Sequence, residues 1–273
     1  MTAPTPYYDK DGITIYCGDN VETLTSFADG CIDLIVTSPP YDNLRTYGGH
    51  QWGWSEFIQL APELFRVTKQ GGVVVWIVAD ATVDGSETGT SLRQALHFKE
   101  CGFRVHDTMI YRKTSGGIKG SHYVYLQGFE YMFVLAKGQP SAVNLLKDRK
   151  NVAKSGTKIE RTGRKRNGDF KTENVTRTEY GTRWNVWDYQ VGSNIADAFA
   201  FNQPAIFPES LARDHILSWS NEGDTVLDPF NGSGTTTKMA KHMGRKSVGI
   251  EINAEYCEIA VNRLKQGVLN FTE

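Results

Sequence analysis

The chain has 273 residues and a mass of 30.5 kDa, and its 30 Lys and Arg against 31 Asp and Glu leave a formal charge of −1 that points to no polyanionic partner. With 40% hydrophobic and 22% charged residues it falls outside the disordered and collagenous classes, and at this length it buries roughly 75% of its unfolded surface in a core of its own. The longest wholly apolar run, Val73 to Ala79, is far short of the roughly 18 residues of a membrane span, and the start MTAPTPYYDKDG lacks a signal peptide's apolar stretch, so a soluble cytoplasmic protein is expected.

In chain order, Ile32 to Val36 reads as a strand that stops at Thr37-Ser38-Pro39-Pro40-Tyr41, because two prolines cannot continue a ladder. From Ser55 to Val67 apolar residues recur at helical spacing, closed by Gln70-Gly71-Gly72. Val73 to Val78, apolar throughout, suits a central parallel strand covered on both faces. A helix over Ser91 to Lys99 leads to strands around Val105–Tyr111 and Glu130–Ala136, with Ser115–Gly120 between them as a glycine-rich mobile loop. Near the end the pattern repeats: strand Thr225–Leu227, helix Thr235–Met243, strand Ser247–Ile250, helix Ala254–Leu264. Such alternation predicts an α/β fold with a mostly parallel central sheet. Cys17, Cys31, Cys101 and Cys257 form no close pair, which predicts reduced thiols and no metal site.

One segment breaks the composition. Ser141 to Arg183 holds twelve Lys and Arg against five Asp and Glu, a balance of +7 that leaves −8 for the remainder. With few apolar residues it reads as weakly ordered and suited to phosphate contacts; the same composition also describes a solvated basic loop.

Two motifs carry chemistry. Asp228-Pro229-Phe230-Asn231-Gly232-Ser233-Gly234-Thr235-Thr236 is a strand end, a glycine turn and a helix start, where backbone passes close beneath a ligand and free N–H groups face it. No Gly-Lys-Ser/Thr follows, which excludes a Walker loop, and Thr237 stands where a dinucleotide fingerprint has its third glycine. About 20 residues on, Glu251 ends the next strand, where an acid commonly holds a ribose diol. An adenosine-containing cofactor that needs no pyrophosphate site fits both observations. In the second motif, Thr37 to Tyr41, prolines fix the backbone so that carbonyls around Ser38 and Pro39 face a cleft as acceptors, and Tyr41 offers a flat face; the site suits a planar group bearing an amine.

On these two boxes the chain resembles the S-adenosylmethionine-dependent DNA amino-methyltransferases, in the permuted class whose catalytic box precedes the cofactor box. Gly18-Asp19, the stretch Asn202 to Leu211 and Val248-Gly249-Ile250-Glu251 add to the likeness, although Gln203 stands where the family often has His. The resemblance implies a Rossmann-like methyltransferase fold, with a catalytic half over 1–138, a basic target-recognition insert over 139–200 and a cofactor half over 201–273. It implies catalysis on a flipped-out base by Ser38, Pro39, Pro40 and Tyr41, without metal. S-adenosylmethionine is expected on Asp19, Asp228, Phe230, Asn231, Gly232, Ser233, Gly234, Thr235 and Glu251. Thr235 or Thr236 is expected to cap its helix. Double-stranded DNA is the expected partner, on Arg45, Lys158, Arg161, Arg164, Lys165 and Arg166, and a palindromic site would favour a homodimer. The target is N6 of adenine or N4 of cytosine. Alternatives are an amino-methyltransferase of RNA or protein, or a catalytically inactive DNA-binding regulator.

Overall fold

The computed structural model describes residues 4–40, 52–114, 124–152, 154–165, 167–190 and 208–265. Tyr41, Arg45, the Ser115–Gly120 loop, Arg166 and the stretch from Asn202 to Phe207 lie outside them. Contacts divide the chain into two compact units, one made of Met1–Asn144 with Asn185–Glu273, the other of Leu145–Trp184.

The larger unit begins with β1 (Tyr8–Lys10), β2 (Ile13–Cys17), α1 (Asn20–Leu24), β3 (Ile32–Thr37), α2 (Trp54–Val67) and β4 (Thr68–Val78). The short pair β5 (Thr82–Val83) and β6 (Ser86–Glu87), α3 (Thr90–Glu100), β7 (Arg104–Lys113) and β8 (Phe129–Ala136) follow. The smaller unit holds β9 (Arg149–Lys150), β10 (Lys158–Arg164), β11 (Phe170–Thr176) and β12 (Tyr180–Gly181). The chain then returns to the larger unit with β13 (Val186–Tyr189), α4 (Glu209–Trp219), β14 (Thr225–Asp228), α5 (Thr235–His242), β15 (Lys246–Glu251) and α6 (Ala254–Lys265).

The sheet runs β1-β2-β15-β14-β3-β4-β8-β7-β13. Strands β2, β15, β14, β3 and β4 are mutually parallel, β8 is antiparallel to β4 and β7, and β13 is parallel to β7. The C-terminal ends of all strands but β1 and β8 therefore share one rim. From β3 the chain moves through α2 to β4 on one side; from β14 it moves through α5 to β15 on the other. Neighbouring strands whose connections diverge leave a crevice at their carboxyl ends, where α/β folds bind ligands.

Burial follows the strand chemistry. The β-branched residues of β3 and β4 are enclosed on both faces. Phe57, Leu60, Ala61, Leu64 and Val67 form the buried stripe of α2, which with Phe98 of α3 closes over Ile35, Val74 and Trp76. On the opposite face α6 seats Cys257, Ala260 and Leu264 on Ile13 and Ile15. Against expectation β4 starts directly after α2, five residues before Val73. Its register against β3 shifts between Ile32 and Leu34, and Gly71 and Gly72 sit in the irregular stretch. Gly71 has φ +84, and a Cβ on Gly72 would stand 2.7 Å from Thr68 Cγ2, so the glycine pair permits the shift rather than ending the helix.

The basic segment also differs from its reading as weakly ordered. Within the smaller unit β10 and β11 pair in register from Lys158↔Thr176 to Arg164↔Phe170. Arg183 N–H donates to the Leu146 carbonyl at 2.9 Å, so the two ends of this unit meet. The Asp148–Arg183 ion pair and the Arg149 guanidinium over the Trp184 ring fasten the same base.

Candidate active site

The two chemical boxes meet in the crevice between β3 and β14. Thr37, at the end of β3 and fully buried, donates from Oγ1 to Asp228 Oδ1 at 2.7 Å, a bond across 191 residues of sequence. The same oxygen accepts the Phe230 N–H at 3.0 Å, and Thr236 Oγ1 donates to the Val36 carbonyl at 3.1 Å. The acceptor turn is thus tied to the glycine loop by hydrogen bonds that water does not reach. Burial pushes the Asp228 carboxyl up to about 6, against the pull of the hydrogen bonds from Thr37, Phe230 and Thr236. Beyond Thr37 the backbone carries half-buried Ser38, buried Pro39 and half-buried Pro40 to the rim.

The glycine loop has a rigid frame. Gly232 (φ +49) and Gly234 (φ +80) take left-handed backbone, and a Cβ on Gly234 would lie 2.9 Å from the Ala260 Cβ of α6. Asn231 donates from its N–H to the Ile250 carbonyl at 2.9 Å and accepts the Gly234 N–H at 2.7 Å. Its side chain packs edge-on to Gly249, Oδ1 accepting from Thr237 Oγ1 at 3.0 Å, while Nδ2 is buried without a hydrogen-bond partner. Glu251, at the end of β15, accepts the Gly232 N–H at 2.8 Å and the Asn253 N–H at 2.9 Å. Burial lifts its carboxyl above the ordinary range, those two donors opposing. Beside it, Gly18 N–H donates to the Glu251 carbonyl at 2.9 Å, which brings Asp19 to the same rim. Asp19 caps α1, Oδ1 accepting the Glu22 N–H at 2.9 Å. Phe230 forms one wall, edge-on to Trp52 with centroids 4.7 Å apart.

The threonines differ from expectation. Gly234 occupies the N-cap of α5 with no side-chain cap bond, so neither Thr235 nor Thr236 caps the helix. Thr235 and Ser233 instead turn to Arg263 of α6, a residue that sequence reasoning passed over. Arg263 is fully buried; its Nη1 donates to the Ser233 carbonyl at 2.7 Å, to Ser233 Oγ at 3.0 Å and to Thr235 Oγ1 at 3.2 Å. Nη2 pairs with Glu209 at 2.7 Å, and Lys238 reaches the same carboxylate oxygen at 2.8 Å. The one signal was Glu209 within the Pro-Glu-Ser-Leu stretch; an Arg in an amphipathic helix otherwise reads as solvated.

In the smaller unit, β10 and β11 make a two-stranded ribbon. Lys158, Glu160, Thr162 and Arg164 share one face with Phe170, Thr172, Asn174 and Thr176, all exposed, and the Thr162 and Thr172 hydroxyls stand 3.0 Å apart. The other face carries Ile159 and Val175, then Arg161, Glu173 and Lys171, the last two paired at 3.1 Å. Arg161, Arg164, Lys165 and Lys171 together line an open basic hollow of about 330 Å³. Among the described residues no group of three His, Cys, Asp or Glu is placed to hold a metal ion, and no helix is long and apolar enough to cross a membrane.

Comparison with known proteins agrees with this architecture. A family model described as DNA methylase matches residues 32–262. The orphan methyltransferase M.BamHII of Bacillus amyloliquefaciens is 53% identical over 250 residues, covering 89% of this chain and 92% of that protein. Among solved structures, the PvuII DNA methyltransferase (cytosine-N4-specific) superposes with a TM-score of 0.73 at 20% identity, covering 97% of this chain and 90% of the other. The M1.HpyAVI–SAM complex does so with 0.64 at 20%, covering 93% and 100%. At that identity the two structures establish the Rossmann-like methyltransferase fold. The family match spans both boxes and the sheet they share, and the chain belongs to the DNA methylase family of N6 and N4 amino-methyltransferases.

Proposed function

We propose that this chain moves the methyl group of S-adenosylmethionine to the exocyclic amino group of a base in double-stranded DNA, N6 of adenine or N4 of cytosine. The observation that carries the reading is the Thr37–Asp228 bond, which fixes an amine-accepting turn beside a loop of ligand-facing backbone. The loop residues fit the cofactor: a half-buried carboxylate at Glu251 for the ribose hydroxyls, an aromatic wall at Phe230 and Trp52, and the orphaned Asn231 amide as a donor still to be matched. Asp228, Ser233 and Thr235 serve this site through the backbone they hold, because their side chains are engaged with Thr37 and Arg263. Asp19 and Gly232 complete its edge. When bound, S-adenosylmethionine supplies an electrophilic methyl group on a sulfonium.

The chain's own part is positioning and electrostatics. The Ser38 hydroxyl and the Pro39 carbonyl accept hydrogen bonds from the target amine, which draws its lone pair out of conjugation and toward the methyl group; Pro40 keeps that carbonyl in place and Tyr41 stacks on the ring. A paired base hides its amine in the duplex, so it must be swung out to reach this turn. The amines of adenine and cytosine present the same donors to this acceptor pair. The DNA contacts fall to the ribbon, whose width and roughly 20 Å length suit a major groove, and to Arg45 and Arg166.

Incubation with tritiated S-adenosylmethionine and duplex DNA tests the reading: label moves to DNA, and sequencing of DNA from a host expressing the chain gives base and site. Transfer to RNA or to protein alone, or to nothing, would refute it. Ser38→Ala is expected to bind S-adenosylhomocysteine as wild type does while kcat falls by about 100-fold or more, the scale of losing one positioned catalytic acceptor.

A further inference from the structure

The connection from β7 to β8 leaves the same rim as Ser38, and its described residues include three apolar side chains in water. Val124 is 50% exposed, Tyr125 98% and Leu126 69%. Below them the turn is fastened by polar ties: Lys113 N–H to the Gly128 carbonyl at 2.7 Å, Lys113 to Glu130 at 2.7 Å, and Gln127 to Glu87 at 3.0 Å. Thr114 N–H also binds the Tyr189 carbonyl at 3.1 Å. Exposed apolar side chains clustered on a base held this firmly mark a surface that meets a partner. The crown stands two strands from β3, a lateral distance of about 10 Å at the usual strand spacing.

A base that swings out of a duplex leaves a gap in the stack, and proteins that open base steps fill such gaps with apolar or aromatic wedges. We propose that Tyr125 and Leu126 enter the DNA stack where the target base leaves it, holding that base in the crevice at Ser38. The proposal rests on the amino-methyltransferase reading above. It assigns the pair to opening the duplex; methyl transfer itself stays with Ser38 and Pro39.

The test compares two duplexes carrying the mapped site, one fully paired and one with an abasic position opposite the target base, where opening is already done. The Tyr125→Ala/Leu126→Ala double variant is expected to lose about tenfold or more in kcat/KM on the paired duplex and no more than about threefold on the pre-opened one. Tyr125→Phe should retain activity on both, and S-adenosylhomocysteine binding and sedimentation should match wild type. Equal losses on the two duplexes, or no loss on either, would overturn the wedge while leaving the methyltransferase reading intact. A changed sedimentation coefficient would overturn it in favour of an interface between copies of the chain. A wild-type chain inactive on both duplexes would overturn the two readings together.

Discussion

A carboxyl enclosed in protein holds its proton more tightly than one in water, and Asp228, 1% exposed, has its pKa raised from 3.8 to about 6 by burial. The folded state then binds the proton more tightly than the unfolded state does, so stability is gained as pH falls from about 6 toward 4 and lost as pH rises through 6. At roughly 1.4 kcal/mol per pH unit the window is worth up to about 3 kcal/mol. Asp228→Asn keeps an oxygen for Thr37 and the Phe230 N–H and has no proton to lose. The expected outcome is that wild-type melting temperature, taken relative to Asp228→Asn, climbs between pH 7 and pH 5. A difference that stays flat would place the Asp228 titration elsewhere. Glu251 is raised in the same direction chiefly by burial, which both proteins share; the smaller contribution from the Asp228 charge is lost in Asp228→Asn, so only the burial part cancels from the comparison. Arg263 gives a second residue-scale expectation. Removing its guanidinium leaves Glu209 to Lys238 alone and strips the buried Ser233 carbonyl of its charged donor, and the loss of a hydrogen bond to a charged group costs about 1.5–3 kcal/mol. Arg263→Met should therefore unfold earlier in urea and bind S-adenosylhomocysteine more weakly. Arg263→Lys, which keeps the charge but not the fork, should recover part of the stability and less of the affinity.

At the scale of elements, the proposed role of the β10–β11 ribbon assigns phosphates to its Lys and Arg side chains and base edges to its Asn and Thr side chains. Neutralising Lys165 and Lys171 is expected to weaken binding on all sequences alike and to reduce the salt slope by about one unit per lost phosphate contact. Asn174→Ala or Thr162→Ala, which removes an uncharged side chain able to pair with a base edge, should instead relax the methylated sequence at one position at unchanged salt slope. Methylation sequencing and titrations at several salt concentrations separate the two. The ribbon was also where the sequence was least legible. Strands β3, β4 and β8 announce themselves because burial on both faces demands largely apolar runs, and β14 and β15 by the motifs at their ends. A ribbon with both faces in water leaves no such run, and only Ile159 opposite Val175 hints at pairing. Likewise β2 is too short to show a period, and α4 has polar Asp214, His215 and Ser218 among its buried residues. The two boxes were legible as chemistry because proline and glycine carry backbone instructions. Their joining through Thr37 and Asp228 was not, since a hydrogen bond across 191 residues leaves no local mark.

For the whole molecule, the two compact units make a separable prediction. The Arg183 N–H to Leu146 carbonyl bond brings the ends of the smaller unit together, while Asn144 and Asn185 are each held within the larger one, on Ser218 and Ile110. Replacing residues 146–183 with a short Gly-Ser bridge is therefore expected to leave a folded larger unit with near-native melting temperature and S-adenosylhomocysteine affinity. Its methylation of duplex DNA should fall to background. An unfolded product would show that the smaller unit is needed for the fold as well.

The strand order also governs how the chain comes into being. Strand β14 occupies the middle of the sheet yet is made near the end, and Val226 and Leu227 find their partners Leu34 and Ile35 only then. At 5–20 residues per second, the 191 residues that separate Thr37 from Asp228 take roughly 10–40 s to emerge. Throughout that interval β3 offers a bare, apolar edge, and nascent chains close enough to meet can zip together along it. The permutation that places the acceptor turn first thus leaves the newborn protein dependent on dilution or chaperones until its last third has left the ribosome.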